Sequence, residues 1–240
     1  MSSPLFQYTL GPFDLYVFGQ QPRLVEKEDL SQQQALALGA NPGMVAQIIT
    51  ASVPTDTGHK QVYPANYNNV LNADGIILRE VGSAGIIKTA DCGATLLFDK
   101  STGNGALLHT GRPALDPTLS DCAHCGYTVL DNALSLLTKN QSNASVHALV
   151  TGNICGPCFV HEGPDAERHI KHFKRLTGVF VDEAAGALDL FAVVKHGLMH
   201  HGVPAENINH VGPCTLETPI LSSHRRSDQT RNTFITIKRS

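Results

Sequence analysis

Cys92 and His109 are the residues of this chain whose types and spacing point first to chemistry. They bracket two apolar runs, Ala94–Phe98 and Gly105–Leu108, joined by a polar turn at Asp99–Asn104. Such runs read as β-strands, and so short a turn makes them antiparallel. The residue entering the first strand and the residue leaving the second then share one end of the hairpin, because paired strands run about 5 Å apart. A thiolate beside an imidazole serves as a ligand pair for a soft divalent metal, or as a nucleophile with its base. The plainer alternative is a small buried cysteine and a hydrogen-bonded histidine at a strand end.

Two further cysteine pairs have the C-x-x-C spacing, Cys122-Ala-His-Cys125 and Cys155-Gly-Pro-Cys158. The second has the inner residues of thioredoxin, whose chemistry requires the pair to follow a strand and open a helix. Leu149–Ile154 supplies a strand, but Phe159–Glu162 begins no convincing helix. A zinc site built from both pairs is the other reading. Its usual separation of about 15–20 residues is shorter than the one here, which spans a helix at Val129–Leu137. Ordinary reduced cysteines are the third.

These groups need elements to position them. Phe13–Phe18 reads as a strand, and Leu30–Leu38 as a helix with Ser31 as N-cap and Gly39 as its stop. Gln47–Ala51 is a strand candidate. In the last third, Asp165–Leu176 reads as helix, Gly178–Val181 as strand and Asp189–His201 as an amphipathic helix opening at Asp189. Ile208–Val211 and Phe234–Ile237 read as strands. Histidines 169, 172, 196, 200 and 201 fall on helices without acidic partners in the pattern, and are expected at the surface. This alternation suits a mixed α/β fold with sheets covered by helices.

The 240 residues show no repeat, low-complexity tract or linker, so a single domain over 1–240 is expected. A hydrophobic fraction of 42% and a charged fraction of 16% suit a soluble globular chain. The net charge of −3 offers no basic surface for nucleic acid or membrane. No apolar run approaches the ~20 residues of a membrane span. The N-terminal stretch lacks a basic segment followed by an apolar one, so no signal peptide is read there. The expectation is a cytoplasmic protein with reduced or metal-bound cysteines.

The block Thr89-Ala90-Asp91-Cys92, followed by strand, turn, strand and His109-Thr110-Gly111, resembles the YfiH/laccase-domain family. These are zinc-dependent purine nucleoside phosphorylases, formerly described as polyphenol oxidoreductases. Gln61–Val62–Tyr63 and Ala73–Asp74–Gly75 are similar to the family's Q-V-H and A-D-[AG] blocks. Gly152–Pro157, Leu188–Asp189–Leu190 with His201–Gly202–Val203, Cys214–Thr215 and Ser223–His224–Arg225–Arg226 resemble further blocks in order and spacing. The resemblance covers roughly Gln61 to the C-terminus; no residue of the first sixty matches the family's arginine or asparagine that faces the substrate. It implies an α-β-β-α sandwich, the mixed-sheet fold shared with toxins of the cytotoxic-necrotizing-factor type. It also implies one zinc per chain, with a purine nucleoside and phosphate as partners. Cys92 and His109 would be ligands and catalytic groups, with Asp91 or Asp74 orienting a ligand, and Arg112, Arg225, Arg226 and Asp74 would face the substrate.

Three departures qualify that reading. Tyr63 stands where the family has the histidine that completes its His-Cys-His site, and a phenol with a pKa near 10 is a poor zinc ligand. His59, four residues earlier, replaces it only if the chain bends, since an extended strand puts it about 13 Å away. After His109 the chain reads Thr-Gly-Arg-Pro-Ala, so Arg112 comes one position early, Pro113 takes the arginine's place, and the tryptophan is absent. Arginine suits phosphate because its planar fork binds oxyanions bidentately. His224 occupies the tyrosine position before Arg225 and Arg226.

Three functions follow. One is a zinc-dependent enzyme that phosphorolyses purine nucleosides or deaminates adenosine. Another is a metal-free thiol hydrolase, amidase- or deamidase-like, with Cys92 as nucleophile and His109 as base, a pair used on the same fold by glutamine-deamidating toxins. The third is a non-catalytic descendant that keeps the fold. A multicopper oxidase is disfavoured, because the chain has hardly any accessory histidine pattern around the pair.

Overall fold

The computed structural model describes residues 3–21, 30–48, 62–64, 69–71, 73–116, 128–139 and 142–239, with backbone alone at 63, 64 and 69–71. His59, Cys122 and Cys125 lie outside the described residues, so the readings that use them fall there too. In chain order the elements are β1 (Phe6–Leu10), β2 (Phe13–Gln21), α1 (Leu30–Ala37), β3 (Val45–Ile48), β4 (Val62–Pro64), β5 (Asn69–Leu71), β6 (Gly75–Leu78), β7 (Ala84–Thr89), β8 (Gly93–Asp99) and β9 (Asn104–Thr110). There follow α2 (Arg112–Leu115), α3 (Val129–Thr138), β10 (Val146–Thr151), α4 (Pro164–Phe173), β11 (Phe180–Asp182), β12 (Ala187–Leu188), α5 (Leu190–His200), β13 (Ile208–His210) and β14 (Arg231–Lys238).

The strands form two mixed six-stranded sheets, ordered β1-β2-β14-β7-β3-β5 and β13-β10-β8-β9-β6-β4, and a small β11-β12 ribbon. The hairpin that carries Cys92 and His109 is the centre of the second sheet. Its apolar runs are continuous because both faces are covered, as in buried sheets generally. Leu96 and Leu107 point between the sheets, where they meet Phe13, Leu15, Ile87 and Phe234 of the first sheet. Their neighbours Leu97, Ala106 and Leu108 point the other way, onto Val129, Ala133 and Leu134 of α3 and Val193, Val194 and Leu198 of α5. The outer face of the first sheet, with Tyr16, Ile86 and Ile235, packs on Ala35 of α1. The layers are therefore helix, sheet, sheet, helices: the α-β-β-α sandwich. Each fully buried leucine contributes about 1.5–3 kcal/mol relative to leaving it in water.

The turn between β8 and β9 is held by Asp99. Its carboxylate accepts the backbone N–H of Ser101 and Thr102 and the hydroxyls of Ser101, Thr102 and Ser145. Burial pushes Asp99 up, but these donors outweigh it and hold the carboxyl below its usual value. The α3 helix opens on a capping box, Thr128 with Asp131, and α5 on Asp189, whose side chain accepts Ala192 N–H at 3.1 Å. Gly39, at φ +96, ends the segment after α1 as expected, whereas Ser31 lies inside α1. Among the described residues no helix is long and apolar enough to cross a membrane.

Candidate active site

In the β8–β9 register Ala94 faces His109, so Cys92 stands just beyond the strand end, beside the histidine. A Cβ added at Gly111 would lie 2.8 Å from His109 Nε2 and 2.9 Å from Cys92 Sγ, so both atoms border one small space that glycine leaves open. On the other side of β9, β6 pairs Gly75 with Leu108, which brings Asp74 alongside His109. His109 N–H donates to the Asp74 carbonyl at 2.8 Å, and Nδ1 lies 2.8 Å from Asp74 Oδ1. Nδ1 is thereby committed to the carboxylate, and Nε2 is the nitrogen turned to Cys92. Burial pushes the imidazolium down, yet the hydrogen bonds and charges of Asp74 and Cys92 prevail and raise His109 to about 10.

The turn before Cys92 is built with equal care. Asp91 sits at φ +75, a left-handed conformation that aspartate tolerates better than most residues. Thr89 Oγ1 donates to Cys92 O at 2.7 Å, and Ile154 N–H to Asp91 O at 3.0 Å. The Asp91 carboxylate is occupied: Thr215 Oγ1 donates to Oδ1 at 2.6 Å and Arg225 N–H to Oδ2 at 2.8 Å. Asp91 thus ties the segment carrying Cys92 to the segment 215–225.

The arginines separate by their partners. Arg226 donates to Thr215 O, Leu216 O and Leu221 O and pairs with Asp228, so its guanidinium is spent on the protein's own loop. Arg225 lays its guanidinium over the Phe159 ring, 5.2 Å from the centroid. Arg112 donates to His161 Nε2 at 3.1 Å and to His169 Nε2 at 2.5 Å. Burial, then the charge of Arg168, lowers Arg112, and Cys92 and Arg225 lie near enough to act on it through charge as well. Arg112, Arg225 and Cys92 therefore belong to one neighbourhood.

His161 and His169 neighbour Arg112 of the candidate site, and sequence reasoning assigned neither. His161 donates Nδ1–H to Gly186 O at 3.1 Å, which leaves Nε2 as acceptor for Arg112. His169 was expected on the surface of its helix; it is 1% exposed, and burial together with the Arg112 charge pushes it down to about 3. His169 shares one face of α4 with Ala166 and Phe173, three and four positions away, and that spacing is the signal that it faces inward. His201, expected without an acidic partner, has Asp131 at 2.9 Å. Tyr63 lies in β4, paired with Ile76 of β6 at the edge of the same sheet. Its side chain is outside the described residues.

A second group of ligating side chains lies elsewhere. Cys155, Cys158, Cys214 and Glu217 bring three thiols and a carboxylate within 4.8 Å of one another, close enough to hold a metal ion.

Comparison with known proteins agrees with this architecture. The Neisseria meningitidis protein NMB0706 superimposes with a TM-score of 0.71 at 15% identity, over 98% of this chain and 99% of that one. YlmD of Geobacillus stearothermophilus gives 0.71 at 15% identity, over 95% and 92% of the two chains. YfiH of Bacillus licheniformis gives 0.65 at 14% identity, over 95% and 93%. These likenesses concern the fold. In sequence, the purine nucleoside phosphorylase Cj1217c of Campylobacter jejuni is 28% identical over 177 residues, 73% of this chain and 70% of that protein. The model of the multi-copper polyphenol oxidoreductase laccase family matches residues 16–237, and the chain belongs to that family, the YfiH-like proteins.

Proposed function

We propose that the chain is a metal-dependent enzyme of purine nucleosides, cleaving the N-glycosidic bond with phosphate or deaminating adenosine at the Cys92–His109 site. The observation that carries this is the convergence of Cys92 Sγ and His109 Nε2 on the space beside Gly111, with Nδ1 clamped by Asp74. Thiolate plus imidazole, the imidazole held by a carboxylate, is a donor set that fits zinc, and the arrangement has the carboxylate–histidine–metal form. Tyr63 or water would complete the set. Zinc held there supplies Lewis acidity, polarising a water or phosphate oxygen and lowering a bound water's pKa towards ~7.

The chain's own residues do the rest. Asp74 fixes the ring orientation and tautomer of His109. Asp91 keeps Cys92 in place through its bonds to Thr215 and Arg225. Arg112, steadied by two neutral imidazoles, and Arg225, stacked on Phe159, offer positive charge for a phosphate. Arg226 acts at one remove, by holding the loop that presents Arg225. The similarity to a named purine nucleoside phosphorylase supports the substrate class.

A second reading is favoured by one observation. Cys92, His109 and Asp74 are arrayed as nucleophile, partner histidine and orienting carboxylate, the arrangement a metal-free thiol hydrolase requires. Metal analysis with activity assays separates the two. Zinc lost in Cys92→Ala, together with phosphate-dependent release of purine base and ribose 1-phosphate from inosine or adenosine, or of ammonia from adenosine, is the expected result. Wild-type protein with no zinc requirement and unusually fast alkylation of Cys92 at neutral pH would instead favour the hydrolase. Neither activity nor reactivity would indicate a non-catalytic descendant.

A further inference from the structure

We infer that Cys155, Cys158, Cys214 and Glu217 form a second, structural site for a thiophilic divalent cation, zinc by its coordination chemistry, separate from the Cys92–His109 pair. The ligands come as two pairs, each separated by three positions and each on a tight turn. Residues 156–158 make a single 3-10 turn, with Cys158 N–H donating to Cys155 O at 3.0 Å, which puts both thiols on one side. Cys214 precedes the turn at residues 215–217, and Glu217 is its last residue. The turns are already joined, because Cys155 N–H donates to Cys214 Sγ at 3.3 Å.

The distances suit a tetrahedral ion with little movement. With Zn–S of about 2.3 Å and Zn–O of about 2.1 Å, ligand atoms on a tetrahedron stand about 3.6–3.8 Å apart. Cys158 Sγ and Glu217 Oε1 are 3.7 Å apart, and no two of the four ligand atoms are further than 4.8 Å. Contraction by about 1 Å at most closes the set. The ligand shell also has the supports thiolates take in metal sites. Backbone N–H groups of Cys155, Leu216 and Glu217 face Cys214 Sγ, and Arg226 brings its guanidinium to Thr215 O and Leu216 O of the same turn. Four protein ligands leave no open position, which is the mark of a structural rather than a catalytic zinc. Each thiol gives up its proton to bind, and no oxidant or reductant is needed. A disulfide would engage only two of the three thiols and leave the carboxylate without a role.

The place of this group in the fold gives it a task. Cys158 precedes Phe159, on which Arg225 stacks, and Cys214 precedes Thr215, which binds Asp91 beside Cys92. An ion here fastens the two loops that buttress the candidate active site, without itself touching the Cys92–His109 space.

The test counts metal and identifies its ligands in the full chain. Zinc per chain is measured for wild type, Cys92→Ser, Cys214→Ser, Glu217→Ala and the Cys122→Ser/Cys125→Ser double variant. One equivalent retained in Cys92→Ser, lost in Cys214→Ser and held more weakly in Glu217→Ala is the expected pattern. In Cys92→Ser loaded with Co(II), the sulfur-to-cobalt charge-transfer absorption should have the intensity of three thiolates and the visible bands of a tetrahedral ion. That spectrum decides the matter even if Cys214→Ser does not fold. Zinc-free Cys92→Ser protein without such a spectrum overturns the assignment. So does zinc that survives Cys214→Ser but disappears in the Cys122/Cys125 variant, or a disulfide among the three thiols in protein purified under reducing conditions. Loss of one equivalent in Cys92→Ser bears on the proposed enzyme alone, so the two proposals fail separately.

Discussion

Asp74 and His109 are joined twice across adjacent strands, once through the backbone and once through the side chains, each at 2.8 Å. The double link fixes which ring nitrogen is engaged, and it depends on the β6–β9 register that pairs Gly75 with Leu108. A shift of one residue would turn Asp74 to the opposite face.

Asp74→Asn tests the side-chain half of this link. The amide keeps the shape and removes the charge, so the fold should survive while His109 loses its main electrostatic partner. Metal affinity or turnover should fall about 10–100-fold. An unchanged kcat/KM with an unchanged His109 titration would sink the positioning role given to Asp74.

His109 makes a second prediction, on pH. With its folded-state value raised to about 10, against 6.5 for the free side chain, metal-free protein carries the proton on His109 at neutral pH. The stability this contributes is fully present below about 6.5 and is lost as pH rises through about 10. Metal binding at pH 7.5 must displace that proton. Calorimetry of zinc binding to metal-free Cys214→Ser in buffers of different ionisation enthalpy should therefore show proton release, with a smaller release in His109→Ala.

Gly111 is the position where a single methyl group should separate activity from folding. A Cβ there would intrude on His109 Nε2 and Cys92 Sγ at under 3 Å, whereas one at Gly43 meets nothing within 4 Å. Gly111→Ala is expected to lower kcat/KM by about 10²-fold, the scale of an ångström of misplacement. Gly43→Ala should stay within about 0.5 kcal/mol of wild type in stability and keep its activity. Equal activities in the two variants would show that the space beside Gly111 is not used.

His169 sets an acid limit. Burial lowers it first, and the Arg112 charge adds to that, leaving the folded-state value at about 3 while the unfolded chain protonates near 6.5. Its contribution to stability is complete above 6.5 and is lost as pH falls towards 3. In His169→Gln, which keeps an acceptor for Arg112 and cannot take up the proton in that window, urea-unfolding free energy should fall less steeply with acidification, by up to one bound proton. Parallel pH profiles for the two proteins would remove His169 from this role.

Much of this protein was legible in the sequence because the signals were local. Two apolar runs around Asp99–Asn104 specify a hairpin, and a hairpin of that length places the residue before one strand against the last residue of the other; Cys92 and His109 meet for that reason alone. The helices read at Val129–Leu137 and Asp189–His201 are found at Val129–Thr138 and Leu190–His200, the second opening on Asp189 as its sequence indicates. The layer order followed from the family resemblance rather than from any local pattern. What only the tertiary structure decided lies between segments distant in the chain. Asp74 reaches His109 because β6 lies beside β9, and His169 meets Arg112 because α4 is packed against the end of β9 where Arg112 begins α2. Cys214 and Glu217 join Cys155 and Cys158 because two surface turns are folded against each other, a pairing no spacing rule within either turn could reveal. Local spacing determines which residues share a hairpin or a helix face; burial, charge and ligation arise where the packed sheets bring separate segments together.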